Sequence, residues 1–480
     1  MEALFCGIDV GTQGARCVLV DAEGEVAAEA ERGFPEAAVQ QQERQFEQEP
    51  GAWTEALRGA LAECLREVKP SSIACVSATS TSGTLCALDS GYRSLIPAIM
   101  YNDPRAGAEA RQLESVAADL TSRLGYRFSS SFGLPKILWL KRNRPKLFGR
   151  AALFCSPTDY VIGWLTDEWG RSDQTNMLKF GYDLLDGRWP EFIEGRLGIP
   201  VSRLPRVQRS GELAGRVSAR GAARTGLPKG TPVVAGMTDG CASQISSGAA
   251  APGQFNTTIG TTLVIKGVSE RLLLDPLGRI YCHRHPAGWW LPGGASNTGA
   301  ECLAREFDHE ETERLSAAAL EHSPTDLVSY PLVGTGERFP FQRPEAEGFL
   351  LGEPGSREEL FAAYLEGVAC LERLAYDTLE ELGARMRGPI FSAGGGSRSE
   401  AWLQIRADVL GRPVRRPAVT GAAMGAAILA ATHEEFDGLP EATEAMVRID
   451  REVEPRRDFV ETYAEKYGRF RDACRERGYI

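Results

Sequence analysis

No stretch of this 480-residue chain approaches the roughly 20 uninterrupted apolar residues that a membrane-spanning helix requires, so a helical membrane protein is not expected. Positive charge is in deficit. Against 65 Asp and Glu stand 54 Lys and Arg, a formal charge of -11 with no long basic block, and nucleic acid is therefore not an expected partner. Histidine is scarcer still: there are five, with only His283 and His285 close together, which argues against a histidine-built metal site. The eleven cysteines form no C-x-x-C pair and are odd in number, so neither a disulfide framework nor a zinc site is expected. Cys6, Cys17, Cys75 and Cys86 lie in apolar runs and read as reduced core thiols. The opening residues, Glu2 and then only Ala3 to Cys6 before Gly7, lack the basic-then-apolar layout of a signal peptide, and a cytoplasmic protein is the expectation.

What the chain does have is ordinary globular composition, 43% apolar and 25% charged, at a length that suits two domains of about 200 to 250 residues with an active site between them. Apolar runs at Phe5 to Ile8, Cys17 to Val20, Ile73 to Ala78 and Leu85 to Leu88 alternate with helix-like stretches at Gly51 to Val68 and Asp103 to Leu120. That alternation predicts an α/β architecture with mixed sheets. The segment GQFNTTIGTTLVIKG, residues 253–267, repeats the strand–turn–strand plan of LFCGIDVGTQGARCVLVD, residues 4–21, and small residues at 247–253 suit a hinge. The expected division is 1–248, 249–445 and a solvent-facing charged helix over 446–480.

Four segments carry chemistry. In the first, an apolar strand delivers Asp9 into a turn whose Gly11 and Gly14 are read as supplying unusual φ values, so that the amides of Thr12, Gln13 and Gly14 converge on an anion, with Arg16 adding positive charge. The same residues read equally well as a plain hairpin with an exposed Asp. In the second, Pro232 to Gly236 ends in Met237-Thr238-Asp239-Gly240, which places Asp239 at the carboxyl end of a strand, either as a base aimed into a cleft or as a helix cap. In the third, a strand runs into Gly394-Gly395-Gly396-Ser397, where a flat ligand can rest against backbone without a Cβ in the way; the spacing is not that of a dinucleotide fingerprint. The fourth, TGAAMGAAILAA at 420–431, reads as a small-residue helix for close packing.

In this order the segments DVGTQGAR (9–16), MTDG (237–240), IGTT (259–262) and AGGGSRSEAWLQIRADVLGRPV (393–414) resemble the FGGY carbohydrate kinases, from Gly7 to about Ala431. The resemblance implies two ribonuclease H-like domains of the actin-like ATPase group flanking a cleft, ATP and Mg²⁺ as cofactors, and a sugar as substrate. It implies that Asp239 is the general base. Asp9 would hold Mg²⁺ and take part in sugar binding with Gln13, Gly14 and Arg16. Thr12, Gly260, Thr261 and Thr262 would contact phosphates, and Gly394, Gly395, Gly396 and Ser397 would lie at the adenosine. Many relatives have Ser or Thr where Gln13 stands, and its carboxamide serves phosphate or sugar equally.

Xylulose kinases of this family usually carry Met-His after the strand that here reads SATSTSGTLCALD (77–89). With MYNDPRA (100–106) and GGASNTGA (293–300), the segment looks more like the D-ribulose subgroup, with Ser80, Ser82 and Asp103 as sugar contacts, D-xylulose or another polyol being the alternative. Ser80 and Ser82 also read as an ordinary turn, and Asp103 as a helix cap. Two other classes stay open: an actin-like ATPase switch without a sugar substrate, and a binding protein without catalysis. Oligomeric state is left open between monomer and homodimer.

Overall fold

The computed structural model describes residues 3–42 and 45–480. Met1, Glu2, Glu43 and Arg44 lie outside the described residues, and with them the Glu2 of the N-terminal reading. The chain forms two compact units, and they do not follow a single cut in the sequence. The first comprises Met1–Ser246, His283–Gly288 and Gly421–Val447; the second comprises Ser247–Cys282, Trp289–Thr420 and Arg448–Ile480.

The first unit is built on a six-stranded sheet in the order Leu213–Arg216, Pro232–Thr238, Ile73–Ser80, Leu4–Val10, Gly14–Val20, Val26–Gly33. Its three central strands run parallel and the outer neighbours antiparallel. The second unit repeats this plan strand for strand. Trp290–Ala295, Leu263–Gly267, Phe255–Ile259, Ile390–Ala393, Val414–Pro417 and Ile449–Val453 adjoin in that order, with the same alternation of parallel and antiparallel neighbours, and Tyr281–Arg284 extends the edge. The short sequence repeat at 253–267 therefore marks the start of a complete duplicated sheet.

Side chains explain the elements. The helix Pro50–Glu67 starts on proline at its first turn and buries Trp53, Ala56, Leu57, Ala60, Leu61 and Cys64, one face at helical spacing, in the core beneath the sheet. The expected helix 103–120 is instead two, Gly107–Val116 and Ala118–Leu124, parted at Ala117. The helix Ala422–Ala431 is buried along its whole length within the first unit, where a Cβ on Gly7 would meet the Ala423 carbonyl at 1.9 Å and one on Gly425 would meet the Ala242 carbonyl at 1.9 Å. Close packing, as read from the sequence, accounts for its alanines; its membership of the first unit differs from the boundary expected at 445.

The terminal segment also differs from expectation. Residues 446–480 are not one helix: Ile449–Val453 is the edge strand of the second sheet, and the helix is Arg457–Glu476. Charge alternation there is cross-strand pairing, Arg415 with Glu452 and Arg416 with Asp450, which also guards an edge against stray pairing. The helix is half core, burying Tyr463, Lys466, Tyr467 and Phe470. All eleven cysteines are free and buried, as their apolar surroundings indicated. Among the described residues no helix is long and apolar enough to cross a membrane.

Candidate active site

Three parallel strands of the first unit end together. Val10 pairs with Ser80, and Ser80 with Thr238, so the residues that leave the sheet at its carboxyl edge are the turn after Val10, Thr81 to Gly83, and Asp239. Side chains at such strand ends face the ligand in open α/β sheets. A one-residue register shift between Val234 and Met237 re-phases the strand before Asp239, and Gly236 permits it: a Cβ there would meet the Ala78 carbonyl at 1.8 Å. Asp239 is the first residue of the helix Asp239–Ser246, directly after the strand end, and its Oδ1 accepts from the Gly240 amide at 2.6 Å.

Asp9 sits one pair back from the strand end, opposite Arg16. It is 5% exposed, Oδ2 accepts from Arg16 at 3.4 Å, and Oδ1 is buried without a hydrogen-bond partner among the described residues. Burial, then the charge of Asp239, push its carboxyl up to about 7, while Arg16 pulls it back. Arg16 in turn gives its other arm to Glu31 at 2.7 Å, so it links Asp9 on one flanking strand to Glu31 on the other.

The turn after Asp9 is closed by the Gly11 amide donating to the Gly14 carbonyl at 3.0 Å, leaving the Thr12 and Gln13 amides without a backbone acceptor among the described residues. Both of those side chains are exposed. The reading of the glycines is corrected: neither Gly11 nor Gly14 adopts left-handed backbone. Gly14 is needed for close approach, since a Cβ there would meet the Arg32 carbonyl at 2.5 Å. The turn is fixed from behind by Gln48, 2% exposed, whose amide donates to the Thr12 carbonyl at 2.6 Å while its own oxygen accepts from Trp53 at 2.8 Å.

The three expected sugar contacts part company. Ser80 is fully buried and its hydroxyl is taken by Thr158, through the Thr158 amide at 3.0 Å and the hydroxyl at 2.7 Å. Asp103 is also fully buried, accepting from the Phe46 amide at 2.7 Å and from Arg105 through both carboxylate oxygens, at 2.8 and 2.6 Å. It caps no helix, because the next one starts at Gly107 with Ala106 before it. Of the three, Ser82 alone keeps a shielded hydroxyl without a partner among the described residues. Its carbonyl accepts from Lys179 at 3.3 Å, and the next, that of Gly83, from Lys136 at 3.0 Å. Gly83 stands at φ +86°, and a Cβ there would meet the Ser131 carbonyl at 2.1 Å, a position only glycine fills. Lys136 is wholly buried, and burial, with Lys179 adding to it, depresses its ammonium well below the lysine range. Sequence reasoning missed Gln48, Lys136 and Lys179; the one signal was a lysine in the apolar helix Gly133–Asn143.

In the second unit, the turn Gly260–Thr262 joins Phe255–Ile259 to Leu263–Gly267 and exposes Thr261. Beside it the strand Ile390–Ala393 ends in Gly394 at φ +84°, whose Cβ position lies 2.4 Å from the Ile259 carbonyl. Gly396 packs on the Ile259 side chain, and Gly395 alone faces open space. Ser397 turns inward, its hydroxyl donating to the Gly394 carbonyl at 2.6 Å. The flat backbone surface expected at 394–397 thus narrows to Gly395, and the other residues brace it against the hairpin.

Among the described residues no cluster of three or more His, Cys, Asp or Glu forms a ready-made metal cage. Comparison with known proteins agrees with this layout. The chain is similar to the xylulose kinase of Bacillus subtilis (29% identity, covering 95% of this chain and 94% of that protein) and to its gluconokinase (26%, covering 89% and 87%). The crystal structure of xylulose kinase from Rhodospirillum rubrum superposes with a TM-score of 0.88 at 29% identity, covering 98% of each chain. The fold is therefore the two-domain α/β arrangement with mixed sheets seen in these kinases, that of the actin-like ATPase group. Residues 4–246 match the N-terminal domain and 256–434 the C-terminal domain of the FGGY family of carbohydrate kinases, and the chain belongs to that family.

Proposed function

We propose that the protein transfers the γ-phosphoryl group of ATP to a hydroxyl of a ketopentose, with Asp239 accepting the hydroxyl proton. The observation that carries this reading is the placement of Asp9 and Asp239 toward the carboxyl edge of one sheet, on parallel strands with Ile73–Ser80 between them, close enough for one charge to raise the other's pKa. The two carboxylates divide the labour by burial: Asp9, buried and tied to Arg16, positions, and Asp239, less buried, takes the proton. Phosphoryl transfer needs little covalent chemistry from the protein beyond placing the reactants and neutralising charge. The Thr12 and Gln13 amides suit phosphate oxygens, as do the Thr261 and Thr262 hydroxyls and the Gly260 backbone; Gly395 offers a face to the adenosine.

The donor set fits Mg²⁺. That ion takes one or two carboxylates and otherwise water and phosphate oxygens, and Asp9 has an oxygen without a partner beside a second carboxylate that repels it. When bound, the ion would neutralise charge on the phosphates, with Asp9 as its protein ligand.

For the acceptor, the xylulose kinases among the relatives favour D-xylulose over the D-ribulose expected from the sequence. D-ribulose is the second reading, on one observation: Thr81-Ser82-Gly83 presents a small serine hydroxyl on a turn whose Ser82 and Gly83 carbonyls accept from Lys179 and Lys136, where a bulkier pair was expected for xylulose. A coupled ADP-release assay over D-xylulose, D-ribulose, L-ribulose, ribitol, glycerol and gluconate tests the proposal. ADP release should rise with one pentulose above the rest. Equal ATP consumption with and without every sugar would point to a switch ATPase, and ATP binding with no transfer to a non-catalytic protein.

A further inference from the structure

A buried acid in the second unit has no place in the chemistry above. Glu337 is 4% exposed and accepts five hydrogen bonds: from Ser296 at 2.7 Å, the Asn297 amide at 2.7 Å, Thr298 at 3.1 Å, Tyr330 at 2.9 Å and the Arg338 amide at 2.9 Å. Three of the five come from consecutive residues, 296–298. That is a concentration of acceptor strength on one short stretch of chain, and charged acceptors make the stronger hydrogen bonds.

The stretch is the one that grips the second hairpin. The Leu263 amide donates to the Thr298 carbonyl and the Ser296 amide to the Leu263 carbonyl, each at 2.9 Å. Further along, the Ala300 amide donates to the Gly260 carbonyl at 2.9 Å and the Glu301 amide to the Thr261 carbonyl at 3.2 Å. Gly299 lies so tightly against the turn that a Cβ would stand 2.6 Å from the Thr261 carbonyl oxygen and from Thr262. Two carbonyls of the turn are thereby directed toward 300–301, and the exposed side of Thr261 is set by where that segment sits.

We propose that Glu337 is a positioning residue for nucleotide phosphate, acting through Ser296–Glu301 to set the Gly260–Thr262 turn. The inference rests on reading that turn as a phosphate contact. Glu337 touches no reactant itself; it fixes the segment against which the turn is built. Removing the carboxylate leaves buried amides and hydroxyls unsatisfied and frees 296–298, so the loss falls on the nucleotide and leaves the sugar alone. Glutamine can keep its oxygen on the two amides and turn its NH₂ to the hydroxyls, each of which can also accept.

Steady-state kinetics on Glu337→Ala, Glu337→Gln, Ser296→Ala, Thr298→Val and Thr261→Val, with ADP affinity by calorimetry and thermal midpoints alongside, test this. Glu337→Ala should raise KM for ATP and weaken ADP by about tenfold or more, with KM for the sugar within about twofold, and Glu337→Gln should recover most of the loss. If Glu337→Ala does not fold, Ser296→Ala and Thr298→Val decide, each expected to raise KM for ATP alone. A lower thermal midpoint with unchanged ADP affinity in these variants overturns the inference while Thr261→Val still weakens ADP. If Thr261→Val also leaves ADP affinity intact, the phosphate reading of the turn fails first and the inference with it.

Discussion

Ser82 shows how burial sorts side chains that the sequence offers as equals. Sequence offered Ser80, Ser82 and Asp103 as equal sugar contacts, because hydroxyl and carboxylate groups pair with sugar hydroxyls. Burial separates them: Ser80 and Asp103 have every strong bond spent inside the protein, and Ser82 has none on its hydroxyl. No periodicity distinguishes these cases, since Thr158 on Ser80 and Phe46 on Asp103 are 78 and 57 residues away, Arg105 being the local partner. Asp9 and Asp239 were legible because each ends an apolar run, a local feature. Ser82→Ala should therefore raise KM for the pentulose by about tenfold, as expected when a buried sugar hydroxyl loses its partner, with KM for ATP unchanged; steady-state kinetics with each substrate varied in turn checks it. An equal rise in both would instead mean a disturbed fold.

At the scale of elements, strands and helices with one apolar face were readable, and glycine was the residue most often misread. Gly11 and Gly14 looked like turn formers, yet what Gly14 provides is room for the Arg32 carbonyl, a fact about a third strand that no local pattern contains. The terminal strand Ile449–Val453 was hidden for the same kind of reason: its charges are paired across to Arg415 and Arg416, which lie more than thirty residues earlier. One helix start also carries a pH dependence. The helix Pro157–Thr166 is started by a reciprocal box in which Asp159 accepts from the Ser156 amide at 2.8 Å. Burial, then the nearby Asp173, push the Asp159 carboxyl from 3.8 up to about 7. The folded state then holds this proton more tightly than the unfolded chain does, so its contribution to stability is full below pH about 4 and is lost as pH rises through about 7. Asp159→Asn keeps an oxygen for the cap and cannot ionise. Its thermal midpoint relative to the unmodified protein should climb between pH 5 and pH 8, and a difference that stays constant across that range would show that Asp159 does not titrate in it.

For the whole molecule, the duplicated sheet is the organising fact. Six strands recur in the same order and the same relative directions, and each copy puts a glycine-bearing hairpin beside a parallel strand that ends in a functional loop. The sequence revealed only the hairpins, because the other strands of the two sheets share direction and order without sharing residues. The copies have diverged in chemistry: the first carries the acids Asp9 and Asp239, and the second carries backbone and hydroxyl groups at Gly260–Thr262 and Gly395. That division makes the central claim a claim about Asp239, which should be dispensable for folding and nucleotide affinity and indispensable for transfer. The direct measurement is pentulose-dependent ADP release by Asp239→Asn beside its calorimetric affinity for ATP. Turnover should fall by about 10² to 10⁴, the worth of a general base, with ATP affinity and thermal midpoint unchanged. Turnover near that of the unmodified protein would remove Asp239 from the reaction and contradict the account.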